Sequence, residues 1–361
     1  QKTQIVVVGG GAGGLELVRR LGSKYGREKH DIILVDRNLT HIWKPLLHEV
    51  AAGSLDANLD EVGYGGHAVR WGYRFFNGAL ESIDRTTRHI TTAPLLDDQG
   101  KEVIGRHRIR YDYLVLAFGG VSNDFGVPGV REHAQFLEHR GQADSFRQKL
   151  LNACLRANHE HNTGNPEARV RICIIGGGAT GVELSAELYN AAKSLRYYGL
   201  EVFDESKLEV TLLEAGLRIL PQIDAELAGT ARHELEQLGV SVRENTQVVQ
   251  VNAHSVETKR GEQIAADLIV WAAGVKGADG VTEMSDLELN RLSQFVVRPT
   301  LQTTLDDHIF ALGDCASCLL PGQERPIPPR AQSAHQMASH VFDNLCRMQA
   351  GKPLKDFVYK D

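Results

Sequence analysis

Glu183 stands two residues beyond the run Gly176-Gly177-Gly178-Ala179-Thr180-Gly181. A carboxylate on the first turn of a helix, led in by a glycine turn, is well placed to act on whatever that turn holds. Gly176, Gly178 and Gly181 keep the G-x-G-x-x-G spacing. The first glycine permits the tight turn, the second lets the backbone approach a pyrophosphate, and the third lets helix and strand pack closely. Free N–H groups at the positive end of the following helix suit a phosphate. Such turns also occur without a ligand, so the spacing takes its weight from a second copy at Gly9, Gly11 and Gly14. One site points to a dehydrogenase; two point to an enzyme holding two dinucleotides.

Further residues fit that chemistry. Asp36 lies 22 residues beyond Gly14, near the roughly 20 expected for an acid on a ribose hydroxyl. Glu214 lies 33 beyond Gly181, with residues 196–207 reading as an inserted loop. Arg218 nearby offers a 2′-phosphate an alternative partner, but the acid at the strand end outweighs it. Asp314 follows Gly313 at the end of an apolar run. Cys315 and Cys318 have the spacing of a dithiol or half a metal site. No second close cysteine pair completes a four-thiolate site, so they read as small buried residues.

These positions require strands that end where they stand. Gln4–Val8 and Asp31–Val35 are short apolar runs, one closed by Gly9 and the other by Asp36, as buried parallel strands are. The second copy has strands at 170–175 and 208–213, a helix from Gly181 to Tyr197, and a helix from Asp224 to Leu238 ended by Gly239. Apolar runs 111–120 and 266–275 both end in Ala-x-Gly, so a three-part grammar repeats and a domain type is duplicated. Between the copies, 74–84, 89–92 and 101–104 suggest an antiparallel meander, and 141–160 a helix. Pro328-Pro329 introduces a helix with Ala331, Ala334 and Ala338 on one face. Phe357–Asp361 reads as the beginning of a strand.

At 361 residues and net charge −6, the chain suits roughly two domains and offers no basic field for nucleic acid. Five cysteines, an odd and small number, argue against a disulfide framework. No apolar run approaches the ~18 residues of a spanning helix.

On these residues the sequence resembles the type II NADH dehydrogenases, single-subunit flavoprotein NADH:quinone oxidoreductases of respiratory membranes, above all the bacterial members. The resemblance covers nearly the whole chain. It rests on GGGAGGLE from Gly9, HIWKPLLHEVAAGSLD from His41, GGGATGVELSAEL from Gly176 and LEAGLRILP from Leu213. WAAGVK from Trp271, GDCASC from Gly313 and PPRAQSAHQMA from Pro328 complete it.

The resemblance implies an α/β fold of two Rossmann-like dinucleotide-binding domains, of the glutathione-reductase type. FAD would occupy a discontinuous domain, 1–120 plus 291–361, and NADH a domain of 121–290. Gly9, Gly11, Ala12, Gly13 and Gly14 would hold the FAD pyrophosphate and Asp36 its ribose. Arg37, Leu80 and Gly119 would also touch FAD, with Lys44 near the flavin. Gly313 and Asp314 would meet the ribityl–pyrophosphate region, and Ala331 the pyrimidine edge. NADH would lie on Gly176, Gly178, Thr180 and Gly181, with Ala273 and Gly274 beside it. Glu214 would bind its ribose hydroxyls and favour NADH over NADPH.

Two residues are implied as catalytic: Glu183, at the nicotinamide carboxamide and in proton handling, and Gln332, where quinone reaches the flavin. Gln336 joins Gln332 at the quinone. His41 and His48 read as structural or surface residues. Ubiquinone or menaquinone is the expected acceptor, and no metal is implied. The family's attachment is peripheral, on the cytoplasmic face of the bacterial inner membrane, through a C-terminal segment expected to be absent here; this chain by itself is expected to be soluble. A homodimer is compatible with the family. The alternatives are sulfide:quinone oxidoreductase, a soluble NADH oxidase, a disulfide reductase and a redox-responsive binding protein.

Overall fold

The computed structural model describes residues 2–41, 44–54, 61–194, 200 and 204–360. In chain order the principal elements are β1 (Thr3–Val8), α1 (Ala12–Tyr25), β2 (His30–Asp36), α2 (Leu47–Ala52), α3 (Tyr64–Trp71), β3 (Arg74–Asn77) and β4 (Tyr113–Leu116). They continue with α4 (Arg140–Asn162), β5 (Val170–Ile175), α5 (Ala179–Ser194), β6 (Leu208–Leu213), α6 (Ala225–Leu238), β7 (Ser241–Arg243), β8 (Leu268–Trp271), β9 (Asp306–Ala311) and α7 (Ala331–Gln349). Trp43, Tyr197 and most of the expected 196–207 loop lie outside the described residues.

Two compact units result. The first comprises Gln1–Lys44, Glu61–Val121 and Val275–Asp361; the second comprises Pro45–Asp60 and Ser122–Gly274. These bounds differ from the expected 1–120 plus 291–361 and 121–290 in two places. Residues 275–290 join the first unit, because Val281, Met284 and Leu287 bury their side chains in its core. Residues 45–60 join the second, because α2 buries Leu47, Val50 and Ala51 while packing on α4 and α5.

The first unit is built on parallel strands in the order β3-β2-β1-β4-β9, extended past β9 by short strands at Gln302–Thr303, Phe295–Val297 and Ala316–Cys318. Ile5, Val6 and Val7 are fully buried in the central strand, as β-branched residues covered on both faces should be. α1 turns Leu17, Val18 and Leu21 inward and packs on α7, which contributes Val341 and Leu345. The expected strand 74–84 is broken at Gly78. Arg74–Asn77 stays in the main sheet, while Leu80–Asp84 pairs with His89–Thr92 in a separate small sheet. Glu102–Ile104 pairs with Leu95–Leu96 instead of joining that sheet.

Among the described residues beyond Gly351 no strand forms. The segment lies along α7: Lys355 N–H donates to Asn344 Oδ1 and Lys360 N–H to Gln336 Oε1, while Phe357 N–H donates to the Pro299 carbonyl. Asn344 is fully buried and also donates to the Thr300 and Lys355 carbonyls.

The second unit has a four-stranded parallel sheet in the order β7-β6-β5-β8. The Asp224 side chain caps α6 by accepting the Glu226 N–H, and Gly239 ends it at φ 111°. α5 begins two residues earlier than expected, at Ala179.

Candidate functional site

The two glycine turns repeat each other contact for contact. A Cβ on Gly9 would stand 2.3 Å from the Ala117 carbonyl oxygen, and one on Gly14 only 1.8 Å from the Gly9 oxygen. In the second unit a Cβ on Gly176 would stand 2.6 Å from the Ala272 oxygen, and one on Gly181 1.9 Å from the Gly176 oxygen. Gly9 and Gly176 also take φ of +102° and +118°. The first and third glycines are therefore demanded by the fold itself. This also explains the small Ala-x-Gly ends of β4 and β8, which run beneath the first glycine of each turn.

The middle glycines differ. A Cβ on Gly11 or Gly178 would meet nothing within 4 Å, and Gly11 has an ordinary φ of −70°. Nothing in the polypeptide requires glycine there, whereas a ligand pressed against the backbone does. The first helical bonds run from Leu15 N–H to the Gly11 oxygen and from Val182 N–H to the Gly178 oxygen, so the first-turn N–H groups before them have no partner within the helix. Ala179 and Thr180 are exposed at this edge.

Each turn is braced by its acid. Asp36 Oδ2 accepts the Gly10 N–H at 2.6 Å, and Glu214 Oε2 accepts the Gly177 N–H at 2.8 Å. The registers Val8↔Val35 and Ile175↔Leu213 make the two acids equivalent despite their different spacings. Arg218 is engaged within its own loop: its guanidinium donates to the Leu220 and Ile223 carbonyls. Two further glycines have reasons visible only in three dimensions. A Cβ on Gly10 would strike the Tyr64 ring at 2.4 Å, and one on Gly13 would strike Leu312 at 2.4 Å.

At the same carboxyl edge of the first sheet, Gly119 (φ +77°) and Gly313 (φ +71°) follow β4 and β9. The Lys44 Nζ lies 3.5 Å from where a Gly119 Cβ would be, and Lys44 opposes the burial that raises the Asp314 carboxyl. Gly313, Asp314, Pro329, Arg330 and Ser333 help to line a small open cavity. Ser333 Oγ is buried there without a partner. α7 opens at Ala331 with no side-chain cap. Gln332 on its first turn is exposed, whereas Gln336 exchanges two hydrogen bonds with the Lys360 backbone. Arg37 is exposed and its carbonyl accepts from Asn77; Leu80 follows Gly78, whose N–H donates to the Asp36 carbonyl.

Cys315 donates from Sγ to the Leu116 and Leu312 carbonyls. Burial pushes its thiol up to about 12 and that of Cys318 to about 11, and both are free thiols. Among the described residues no group of His, Cys, Asp and Glu could hold a metal ion.

In the second unit, Ala273 lies against the first glycine and Gly274 (φ +67°) packs on Phe125. Glu183 is half-exposed just beyond the first turn of α5, and His48 Nδ1 lies 3.4 Å from its Oε2. Burial raises the Glu183 carboxyl; His48 lowers it and Glu49 raises it further. His48 and Glu49 were legible only as part of an unusual mixed stretch, because α2 belongs in sequence to the first copy and in space to the second.

The sequence matches the pyridine nucleotide-disulphide oxidoreductase family over residues 3–338. It is 44% identical to a type II NADH:quinone oxidoreductase of Haemophilus influenzae, covering 99% of this chain and 83% of that protein. It is 30% identical to the Staphylococcus aureus protein of the same name, covering 100% and 86%. Solved structures at lower identity share the fold. Plasmodium falciparum NDH2 in complex with NADH has a TM-score of 0.79 at 18% identity, covering 96% of this chain and 83% of that one. The Aquifex aeolicus sulfide:quinone oxidoreductase has 0.75 at 20% identity, covering 97% and 78%. The duplicated turn, its paired acids and these relatives agree: the chain belongs to the type II NADH:quinone oxidoreductases, within the pyridine nucleotide-disulphide oxidoreductase family.

Proposed function

We propose that the chain oxidises NADH and reduces a quinone, with FAD held by the first unit and NADH by the second. The observation that carries this is the pair of middle glycines, Gly11 and Gly178, each open to space beside its own acid. FAD, when bound, supplies the two-electron exchange between NADH and quinone.

The residues present fit that group. Ser333 Oγ is buried and unpaired, and the Asp314 side chain makes no hydrogen bond among the described residues; both line one cavity. Buried polar groups of this kind call for partners. Gly9, Gly11, Ala12, Gly13 and Gly14 would hold the FAD pyrophosphate, and Asp36 its ribose. Lys44, Gly119, Gly313 and Asp314 would hold the part nearer the flavin. The first-turn N–H groups of α7, from Ala331, favour negative charge gathered at that end by about 0.3–2 kcal/mol.

Gly178, Thr180 and Gly181 would hold the NADH pyrophosphate. Glu214 would bind the ribose hydroxyls and repel a 2′-phosphate, a preference strengthened by the engagement of Arg218 elsewhere. Glu183 would meet the nicotinamide carboxamide and exchange a proton there. Gln332, exposed and uncommitted, is the better quinone contact of the two glutamines; Gln336 must first release Lys360.

Transfer without proton pumping, ubiquinone or menaquinone as acceptor, and peripheral attachment to the cytoplasmic face of the inner membrane complete the proposal. Among the described residues no helix is long and apolar enough to cross a membrane. A dithiol mechanism is disfavoured by the burial and high pKa of Cys315 and Cys318. The deciding experiment is anaerobic absorbance of the flavin-loaded protein, which NADH should bleach and a soluble quinone recolour. A flavin-loaded sample that fails to turn over with NADH and quinone refutes the proposal.

A further inference from the structure

We infer that His48 is the positioning residue for Glu183, holding its carboxylate from a helix that the sequence assigns to the other nucleotide unit. The inference rests on the reading of Glu183 as an NADH contact. His48 sits on α2, which is anchored by buried Leu47, Val50 and Ala51 and packs on α4 and α5. Its side chain is only 11% exposed, so the ring has little freedom.

Both ring nitrogens face carboxylates. Nδ1 is 3.4 Å from Glu183 Oε2, and Nε2 is 3.8 Å from Glu49 Oε1. A neutral imidazole has one N–H and one lone pair, so it would turn that lone pair toward one of the two acids. The imidazolium offers a donor to each. The charged groups around α2 agree with this. Glu49 comes from α2 itself, and Glu183, with Glu187 one turn on, from α5. From α4, Arg147 approaches the C-terminal end of α2 at Gly53, and Lys44 stands four residues before His48 in the chain. The ring meets a carboxylate on each side, Glu183 and Glu49.

The consequence is a coupled pair at the start of α5. A charged His48 fixes the Glu183 side chain beside Gly181 and holds its proton off. Loss of the His48 charge frees the carboxylate to rotate and to take a proton. Glu49 keeps the ring oriented from its other side.

The test follows the Glu183 carboxyl by infrared difference against Glu183→Gln, in protein without NADH or quinone. It should titrate higher in His48→Gln than in wild type, because His48 lowers it in the folded protein. In turnover, the acid-side limb of kcat/KM for NADH should move up in His48→Gln and return toward wild type in His48→Lys. An unmoved titration overturns the inference, as does a rate loss in His48→Gln with an unshifted pH profile. A shifted Glu183 titration in a sample that does not oxidise NADH upholds the coupling and refutes the functional reading alone.

Discussion

The middle and third glycines of each turn should fail in opposite ways when replaced by alanine. In Gly181→Ala the new Cβ would lie 1.9 Å from the Gly176 oxygen, well inside any normal carbon–oxygen contact. The obstacle is backbone, so the turn or α5 must shift by more than an ångström. Overpacking of this kind costs typically 1–3 kcal/mol. For a unit of this size that lowers Tm by roughly 2–12 °C. In Gly178→Ala the Cβ meets nothing within 4 Å, so stability should stay within about 0.5 kcal/mol of wild type. That methyl group instead occupies the face on which NADH would press. Loss of one charge-assisted hydrogen bond, about 1.5–3 kcal/mol, weakens NADH binding roughly 10- to 100-fold. Thermal unfolding followed by circular dichroism, together with NADH titration of the same samples, separates the two signatures. Gly178→Ala binding NADH as wild type does, or Gly181→Ala melting with wild type, refutes the reasoning.

Glu214→Gln should narrow the preference for NADH over NADPH, measured as the ratio of kcat/KM values; an unchanged ratio removes Glu214 from the ribose site. Cys318→Ser should leave turnover nearly intact, and its loss would revive a dithiol role. Burial opposes the charge on Glu16, but Arg19 and Arg20 win and hold its carboxyl down at about 2, against an ordinary 4.5. Because the folded pKa is depressed, this stabilisation is fully present above about 4.5 and fades as pH falls toward 2. Glu16→Gln should thus cost on the order of 1–3 kcal/mol at pH 7 and almost nothing near pH 2, as read by denaturant unfolding. A cost that does not shrink on acidification contradicts the pairing.

The repeated turns, their flanking strands and the paired acids were legible in sequence because each depends on neighbours along the chain. A parallel strand buried on both faces must be apolar, and a turn beneath a close-packed helix must be glycine. Local sequence also places Glu183 and Gln332 near helix starts, while the roles expected of them came from the resemblance alone. Other features depend on distant residues. Gly10 is glycine because Tyr64 lies against it, and Gly13 because Leu312 does. Residues 275–290 carry no break to show that their apolar side chains bury in the first core. The departure of 45–60 to the second unit follows from an apolar face on α2 that α4 and α5 cover. Sequence alone therefore determined the fold class, the two glycine turns and the acids that brace them. Only the tertiary structure decided that His48 faces Glu183 and that Gln336 holds the C-terminal segment. Side-chain partners far apart in the chain are chosen by packing, and periodicity and spacing carry no record of that choice.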